Sequence, residues 1–578
     1  MAGSYWDKMT TQRVSRRRVL QTTGVAGAAA GAVWLVGCGG SSSKDKTPSS
    51  GNTPGATGTK AAVKSGPDIL NEKNPAKPGG RYLVSNTANF DTFDPHLGIA
   101  SSTAYFPRLY NVLVNQASSR PEFIVHDLAE TYENPDNLTW NFKIRPGVKV
   151  APNTLGVPER DMTAEDVVAT FDRIKNEPKA NNGAFVKENV ASVTAVGSTV
   201  TIKTKTPYAW FLNRVGLFVN TIPPKELIAD QASIDKMRNK SAGAGPFVLI
   251  SSTEGEGAKL DRNPNYYGKD PANNNAPLPY WAGIDVKLIA DRSAERTAFL
   301  GEQLYVYQPA KKSEADELAK DARFVIDKNP SFTFIAVTMM PEKDPWKDPR
   351  ARRAVALAIN RDQYVQVVYE GDAKPNGLVH WPTGSYAYQG DELKKKQPYD
   401  VAESKKLVAA LGGLKVKMMY PNASPIEEHD KHLPIFLEQM KAAGIEIEQD
   451  PQEFSTWLEN YRTLNYVFSF SLNQIYDTPE VALDFHISGG PLTDRSYVVG
   501  IGDAEIDAAV AKTKQTLDFE ARKTAVLAAQ DLIYSKDPAF LPLVSPVTYT
   551  VFNKTKVNNI VAGIGGTATL VNTEWLTT

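Results

Sequence analysis

The 578-residue chain has one cysteine, Cys38, and six histidines. A single thiol excludes any internal disulfide, so the folded part must be held by its cores. It also excludes the paired cysteines of a structural zinc site. His96, His126, His380 and His486 are scattered, and only His429 and His432 stand close enough in sequence to share a helix face. Charge of one sign is missing as well. The chain has 65 basic and 65 acidic groups, of which residues 1–37 hold five basic (Lys8, Arg13, Arg16, Arg17, Arg18) and one acidic (Asp7). The remainder carries 60 against 64, a net of −4, and leaves no basic footprint for nucleic acid. Long apolar runs are absent too. Residues 24–37 are small and apolar, yet fall short of the roughly 20 residues that a spanning helix needs, and no later stretch qualifies.

What is present begins with that short run. Ser15-Arg16-Arg17-Arg18-Val19-Leu20 precedes it and Leu35-Val36-Gly37-Cys38 closes it. Adjacent arginines before a modest apolar core resemble a twin-arginine export signal, with Val19 where that motif more often has Phe. The Leu-Val-Gly-Cys ending resembles a bacterial lipobox, which implies that the Cys38 thiol is lipidated and becomes the new N-terminus. The alternative is a transmembrane anchor with an incidental cysteine. Residues 39 to about 80 are rich in Gly, Ser, Thr, Pro and Lys. They bury too little apolar surface to fold and read as a flexible tether.

From residue 80 onward the chain has the composition of a globular protein, long enough for at least two folded lobes. Residues 81–84 are a strand candidate, and Thr139-Trp140-Asn141-Phe142-Lys143-Ile144 alternates as a half-buried strand should. Residues 200–203 alternate likewise, and the apolar run 247–250 suits a buried strand. Thr163-Ala164-Glu165-Asp166 has the form of a capping box opening a helix over 167–174. Further helices are expected at 349–359, 402–411, 431–443 and 519–535. Strands and helices alternate without a single Rossmann-like register, which points to an α/β fold with several mixed sheets.

Several local patterns, in order, resemble one family, the extracellular solute-binding proteins of the oligopeptide, dipeptide and nickel class. Phe90-Asp91-Thr92-Phe93-Asp94-Pro95-His96 is followed by Leu109-Tyr110-Asn111-Val112-Leu113-Val114. The most specific stretch is Trp140-Asn141-Phe142-Lys143-Ile144-Arg145-Pro146-Gly147-Val148-Lys149, with Met162-Thr163-Ala164-Glu165-Asp166-Val167 after it. Gly243-Ala244-Gly245-Pro246-Phe247, Asn263-Pro264-Asn265-Tyr266-Tyr267 and Asp348-Pro349-Arg350-Ala351-Arg352-Arg353-Ala354 continue the series. So do Ala358-Ile359-Asn360-Arg361 and Tyr399-Asp400 before Lys405-Lys406-Leu407. Read locally, these are scaffold. Arg145-Pro146-Gly147 closes a strand with a turn, and Asp348-Pro349 caps a helix with its Ala/Val face inward and its arginines outward.

The resemblance implies a two-lobed periplasmic-binding-protein-like fold with a hinge and an additional inserted domain. It places the export signal at 1–37 and the lipidated cysteine and tether at 38–79. Lobe I takes 80–111, 241–300 and 546–578, the inserted domain II takes 112–240, and lobe III takes 301–545. It also implies a receptor that captures an extended solute, a peptide or a neutral oligosaccharide, and hands it to the permease subunits of an ABC transporter. The receptor would sit on the outer face of the cell membrane through its lipid, with no cofactor.

Peptide-binding members hold the ligand's ammonium with an aspartate just before an Asp/Glu-Pro turn. Aligned on Tyr476 and Pro479, that position here holds Ile475, and Leu472 replaces a frequent pocket tryptophan. A buried ammonium without a carboxylate is costly, so the clamp is missing unless Asp477 substitutes. Asn473, Gln474, Tyr476 and Asp477 are the polar ligand candidates. Phe454, Trp457 and Trp381 are the aromatic ones, and each has a plain core role as its alternative. Asp477 has a turn-forming role before Thr478-Pro479 as its own.

Rival classes leave weaker traces. No Gly-x-Ser-x-Gly or His-Glu-x-x-His marks a tethered hydrolase, and Ser233-Ile234-Asp235-Lys236 lacks a Lys-Thr-Gly partner. His429 and His432 behind Glu427 and Glu428 read as an exposed helix start rather than a metal pair. A receptor that signals to a membrane sensor has the same sequence features as an importer subunit.

Overall fold

The computed structural model describes residues 78–558, apart from 99, 118–119, 271–273, 332, 423–428, 475–477 and 490–499, together with 575–576. The expected leader, Cys38 and the tether up to residue 77 lie outside the described residues. Among the described residues no helix is long and apolar enough to cross a membrane.

The strands that organise the chain are β1 (Arg81–Asn86), β2 (Ala129–Glu133), β3 (Thr139–Ile144), β4 (Val190–Val196) and β5 (Thr199–Thr204). Next come β6 (Phe247–Thr253), β7 (Gly257–Arg262), β8 (Gly283–Leu288), β9 (Val306–Tyr307) and β10 (Phe324–Pro330). The series ends with β11 (Thr333–Met339), β12 (Leu414–Pro421), β13 (Ile445–Gln452), β14 (Phe468–Gln474), β15 (Phe540–Pro542) and β16 (Val544–Asn553). The helices used below are α1 (Ala164–Asn176), α2 (Gly183–Asn189), α3 (Phe211–Val215), α4 (Pro349–Ala358) and α5 (Val401–Ala410). They continue with α6 (His429–Ala442), α7 (Phe454–Arg462), α8 (Pro479–Asp484), α9 (Ala504–Gln515) and α10 (Phe519–Ser535).

Four sheets result. The first runs β1-β8-β7-β6, the second β2-β3-β5-β4, the third β9-β16-β10 and the fourth β13-β12-β14-β11-β15. β1 pairs parallel with β8, and β12 pairs parallel with both β13 and β14. The fold is thus a two-lobed mixed α/β arrangement. The second sheet shows how its sequence dictates it. Trp140, Phe142 and Ile144 alternate inward from β3 and share one buried core with Val167, Phe171 and Ile174 of α1. Each such burial is worth about 1.5–3 kcal/mol. The expected capping box forms, with the Thr163 amide donating to Asp166 Oδ2 at 2.7 Å.

The first two sheets are stitched together by backbone. Phe93 N–H donates to Met237 O at 2.8 Å, Ala151 N–H to Gly243 O at 2.8 Å, and Asn181 N–H to His96 O at 2.9 Å. The glycines of Gly243-Ala244-Gly245-Pro246 have a steric reason. A Cβ on Gly243 would stand 2.1 Å from the Leu109 carbonyl oxygen, and one on Gly245 would stand 2.5 Å from the Leu109 carbonyl carbon. The third sheet passes directly into the fourth. β10 ends at Pro330 and β11 begins at Thr333, while β15 ends at Pro542 and β16 begins at Val544. Residues 306–307 and 324–330 pair with β16.

Three expectations are corrected. Ile250 is 55% exposed, because only Phe247 and Leu249 of the run 247–250 face the core and the register of β6 shifts between Leu249 and Ser251. Arg352 turns inward from α4, donating to the carbonyls of Trp346 and Asp537, both at 2.6 Å. His432 is fully buried in α6 and stacks on Tyr364 at 5.3 Å, so the helix does not start on an exposed face there. The helix expected over 167–174 runs longer, from Ala164 to Asn176; the bounds of the remaining helices hold within one or two residues, and 519–535 is met in full.

Candidate functional site

Strand register brings part of the candidate set to one place. Residues 333 and 334 open β11 immediately after the crossing from the third sheet, opposite Gln474 and Asn473 of β14. The His380 ring packs 4.0 Å from Phe334, and Trp381 opens the turn Trp381–Tyr386 that follows. Trp381, Asn473 and Gln474 therefore stand toward the end of the fourth sheet where the chain crosses from the third. Tyr476 and Asp477 follow two and three residues after Gln474 and lie outside the described residues, as does Ile475.

Phe454 and Trp457 stand elsewhere. Both are on α7, where Trp457 Nε1 donates to Ser469 Oγ at 3.2 Å. Ser469 precedes Asn473 by four residues, about 13 Å along the strand. The indole is 2% exposed and stacks on Tyr461 at 5.1 Å, with half-buried Phe454 at 5.7 Å. Trp457 thus uses its one polar atom inside the lobe. Tyr461 donates to Ser471 Oγ at 3.1 Å and lies 3.1 Å from Thr338 Oγ1, completing a polar ladder on that face of β11 and β14.

Two of the four histidines that look scattered in sequence are brought together. His380 packs on Phe334 and His486 on Phe540, and those two rings lie 6.2 Å apart with Phe485 stacked beside Phe540 at 4.7 Å. Burial pushes both imidazoles toward the neutral form, His380 well below its ordinary range and His486 to about 3. Neither ring nitrogen of His380 has a hydrogen-bond partner among the described residues. This buried cluster is therefore uncharged and aromatic.

Charge enters beside it, at residues that sequence reading passed over. Arg214 of α3 reaches Glu480 of α8, Nε to Oε1, at 3.3 Å, with both side chains almost wholly buried. Thr478 donates to the same Oε1 at 3.0 Å, and Lys514 of α9 reaches Asp484 at 2.5 Å. Ala209 N–H donates to Lys514 O at 2.6 Å, and Trp210 packs on Tyr386 at 5.2 Å with Arg522 over its ring at 4.6 Å. Burial pushes the Glu480 carboxyl up to about 7; Arg214 offsets part of this and Asp484 adds to it. The available signal was a lone arginine inside the apolar stretch Trp210-Phe211-Leu212-Asn213-Arg214-Val215, since a buried charge requires a partner.

The chain matches the profile of the bacterial extracellular solute-binding proteins, family 5, over residues 124–494. It belongs to that family. Among curated relatives it is 26% identical over 303 residues to the probable di/tripeptide-binding protein 5 of Pseudomonas aeruginosa, covering 50% of this chain and 55% of that one. It is 26% identical over 391 residues to the peptide transport periplasmic protein SapA of Salmonella typhimurium, covering 64% and 68%. The matched region spans about half the length of the first of these relatives. The fold is that of the periplasmic binding protein DppA of Helicobacter pylori in complex with the peptide STSA. The TM-score is 0.72 at 22% identity, over 87% of this chain and 99% of that one. The mannopinic-acid complex of MoaA from A. tumefaciens R10 superposes with a TM-score of 0.69 at 21% identity, over 87% and 100%.

Proposed function

We propose that this family 5 protein is an extracytoplasmic receptor that closes two lobes over an extended solute and delivers it to an ABC permease. The observation that carries the reading is the family match over 124–494, which runs from the second sheet to β14 of the fourth and so includes β11, Trp381, Asn473 and Gln474. Closure exchanges open and loaded forms, and only the loaded form docks productively. Residues 473–477 and Trp381 hold the solute at the Phe334 end of β11, while Phe454 and Trp457 back the neighbouring face. The chain acts as a receptor rather than an enzyme. Twin-arginine export and a lipid on Cys38 keep it at the outer face of the membrane.

The solute class follows from the uncharged floor. With Ile475 at the clamp position and neutral imidazoles beneath, an ammonium has little to meet, so a capped or internal peptide stretch or a neutral oligosaccharide suits the cleft. Thermal unfolding of the purified protein tests this against free tetrapeptides, their N-acetylated forms and neutral oligosaccharides. A ligand at about 100 times its dissociation constant stabilises by about 2.7 kcal/mol. We expect free and acetylated peptides to stabilise equally if peptides bind at all. Stabilisation confined to free amino termini overturns the uncharged-floor reading, and no shift with any of the three overturns the receptor reading for these solute classes.

A further inference from the structure

The bodies around the first and second sheets share several backbone hydrogen bonds, and Arg173 of α1 ties them further through Asp94. The second-sheet body meets the fourth-sheet lobe through a different kind of contact, which includes α3 and the residues before it, the Trp381–Tyr386 turn, α8, α9 and α10. Its polar contacts among the described residues include the Arg214–Glu480 ion pair, whose two partners an opening of the lobes would return to water. We propose that the Arg214–Glu480 contact gates lobe closure: the lobes shut only by burying both groups together, so the charge on Glu480 sets how readily they shut.

Geometry supports the gate. Glu480 Oε1 accepts a hydrogen bond from Thr478 and forms an ion pair, without a hydrogen bond, with Arg214 Nε, whereas buried Oε2 accepts no hydrogen bond from the described residues. A carboxylate satisfied on one side is a costly thing to bury. The charged groups around it are Arg214 from α3, Asp484 from its own helix, and Lys514 from α9 paired with that Asp484; Tyr208, just before α3, faces Arg214. The sign of the pH effect follows from linkage. In water Glu480 titrates near its ordinary 4.5; in the shut form it titrates at about 7. Between those values the shut form carries a proton that the open form lacks. Falling pH therefore draws the lobes together, by at most about tenfold in the closing equilibrium per pH unit. The gate goes beyond the receptor reading and operates without any solute.

The test is a spin-label distance measurement on the full chain, without added solute, carrying Cys38→Ser so that only introduced sites take label. Labels go on Glu188→Cys of α2 and Lys441→Cys of α6, both exposed and on opposite sides of the contact. We expect the distance distribution to shift toward its short population between pH 8 and pH 5.5. Glu480→Gln, which holds the neutral form, should stay at the short distance at both pH values. Arg214→Met should lengthen the distance most at pH 8. A distribution that does not move with pH in the unsubstituted protein overturns the gate, and so does a Glu480→Gln protein that moves as the parent does. Because no solute is added, either result leaves the receptor reading standing or falling on its own melting experiment.

Discussion

Two buried arginine–carboxylate pairs in this molecule have opposite characters. Arg173 grips Asp94 with both ends of its fork, at 2.8 and 2.5 Å, and donates as well toward His96. Arg214 meets Glu480 through one nitrogen at 3.3 Å. Burial pushes each carboxyl up. At Asp94 the Arg173 hydrogen bonds, with the charges of His96 and Arg173, overcome it and hold the carboxyl below its ordinary value, whereas at Glu480 burial wins. The first pair joins the bodies of the first and second sheets, and the second joins the second-sheet body to α8, which follows β14 of the fourth sheet. A pair that never has to separate can be built for strength. One that must part with each opening is held near balance, and its poor geometry is consistent with that duty.

The hardest way to break the comparison is to remove the strong pair. Arg173→Met leaves Asp94 buried and without its fork, and should cost about 3–5 kcal/mol in urea unfolding at pH 7. The pH dependence has a definite sign. Asp94 has a lowered folded-state value, so its contribution is present above the ordinary 3.8 and fades as pH falls below it. The parent should therefore lose its advantage over the variant in acid. A cost under about 1 kcal/mol would mean that the two pairs do not differ in kind.

Arg214→Met is the matched experiment and should do less. The Glu480 carboxyl, already raised to about 7, can take up a proton in place of its lost partner. At pH 8 the expected cost is about 1–3 kcal/mol, and at pH 5.5 it should shrink to under about 1 kcal/mol. The direction is opposite to the Asp94 case. A raised acid binds its proton more tightly when folded, so stability falls as pH rises between 4.5 and 7, and Glu480→Gln should flatten that slope. Equal costs for Arg214→Met at both pH values would remove the distinction.

The two pairs also differ in how far sequence could find them. Local signals were readable: β3 alternates as written, Thr163 and Asp166 make their capping box, and α10 runs from Phe519 to Ser535. The ordered motifs likewise led to the right family. Such features depend on neighbours a few residues apart. Arg352, His432 and Ile250 were misread because their environment is tertiary: carbonyls of Trp346 and Asp537, a stacked Tyr364, a strand whose outer face meets water. Asp94 stands inside the Phe90–His96 motif, though nothing in one sequence joins it to Arg173. Arg214 and Glu480, 266 positions apart, carried only the hint of a charge amid apolar residues. At the candidate site, register rather than motif spacing brings Asn473 and Gln474 beside Phe334, His380 and the Trp381 turn.

The smallest change sharpens the comparison instead of breaking it. Thr478 donates to Glu480 Oε1 at 3.0 Å and so favours the ionised form. Asp94 has the analogous support of the His96 backbone N–H at 3.0 Å, but there the bidentate Arg173 carries most of the load. Thr478→Ala should therefore move the Glu480 midpoint upward, by about half to one pH unit for a hydrogen bond worth about 1 kcal/mol. Global stability near pH 5.5, where the carboxyl is already protonated, should change by less than at pH 8. The measurement is the midpoint of the spin-label distance shift in the Thr478→Ala protein, set beside its urea midpoint at the two pH values. An upward shift shows that closure reads the proton on Glu480 itself. A downward shift, or none, would mean that another group titrates across the join and that the weak geometry of the second pair has no part in opening and closing.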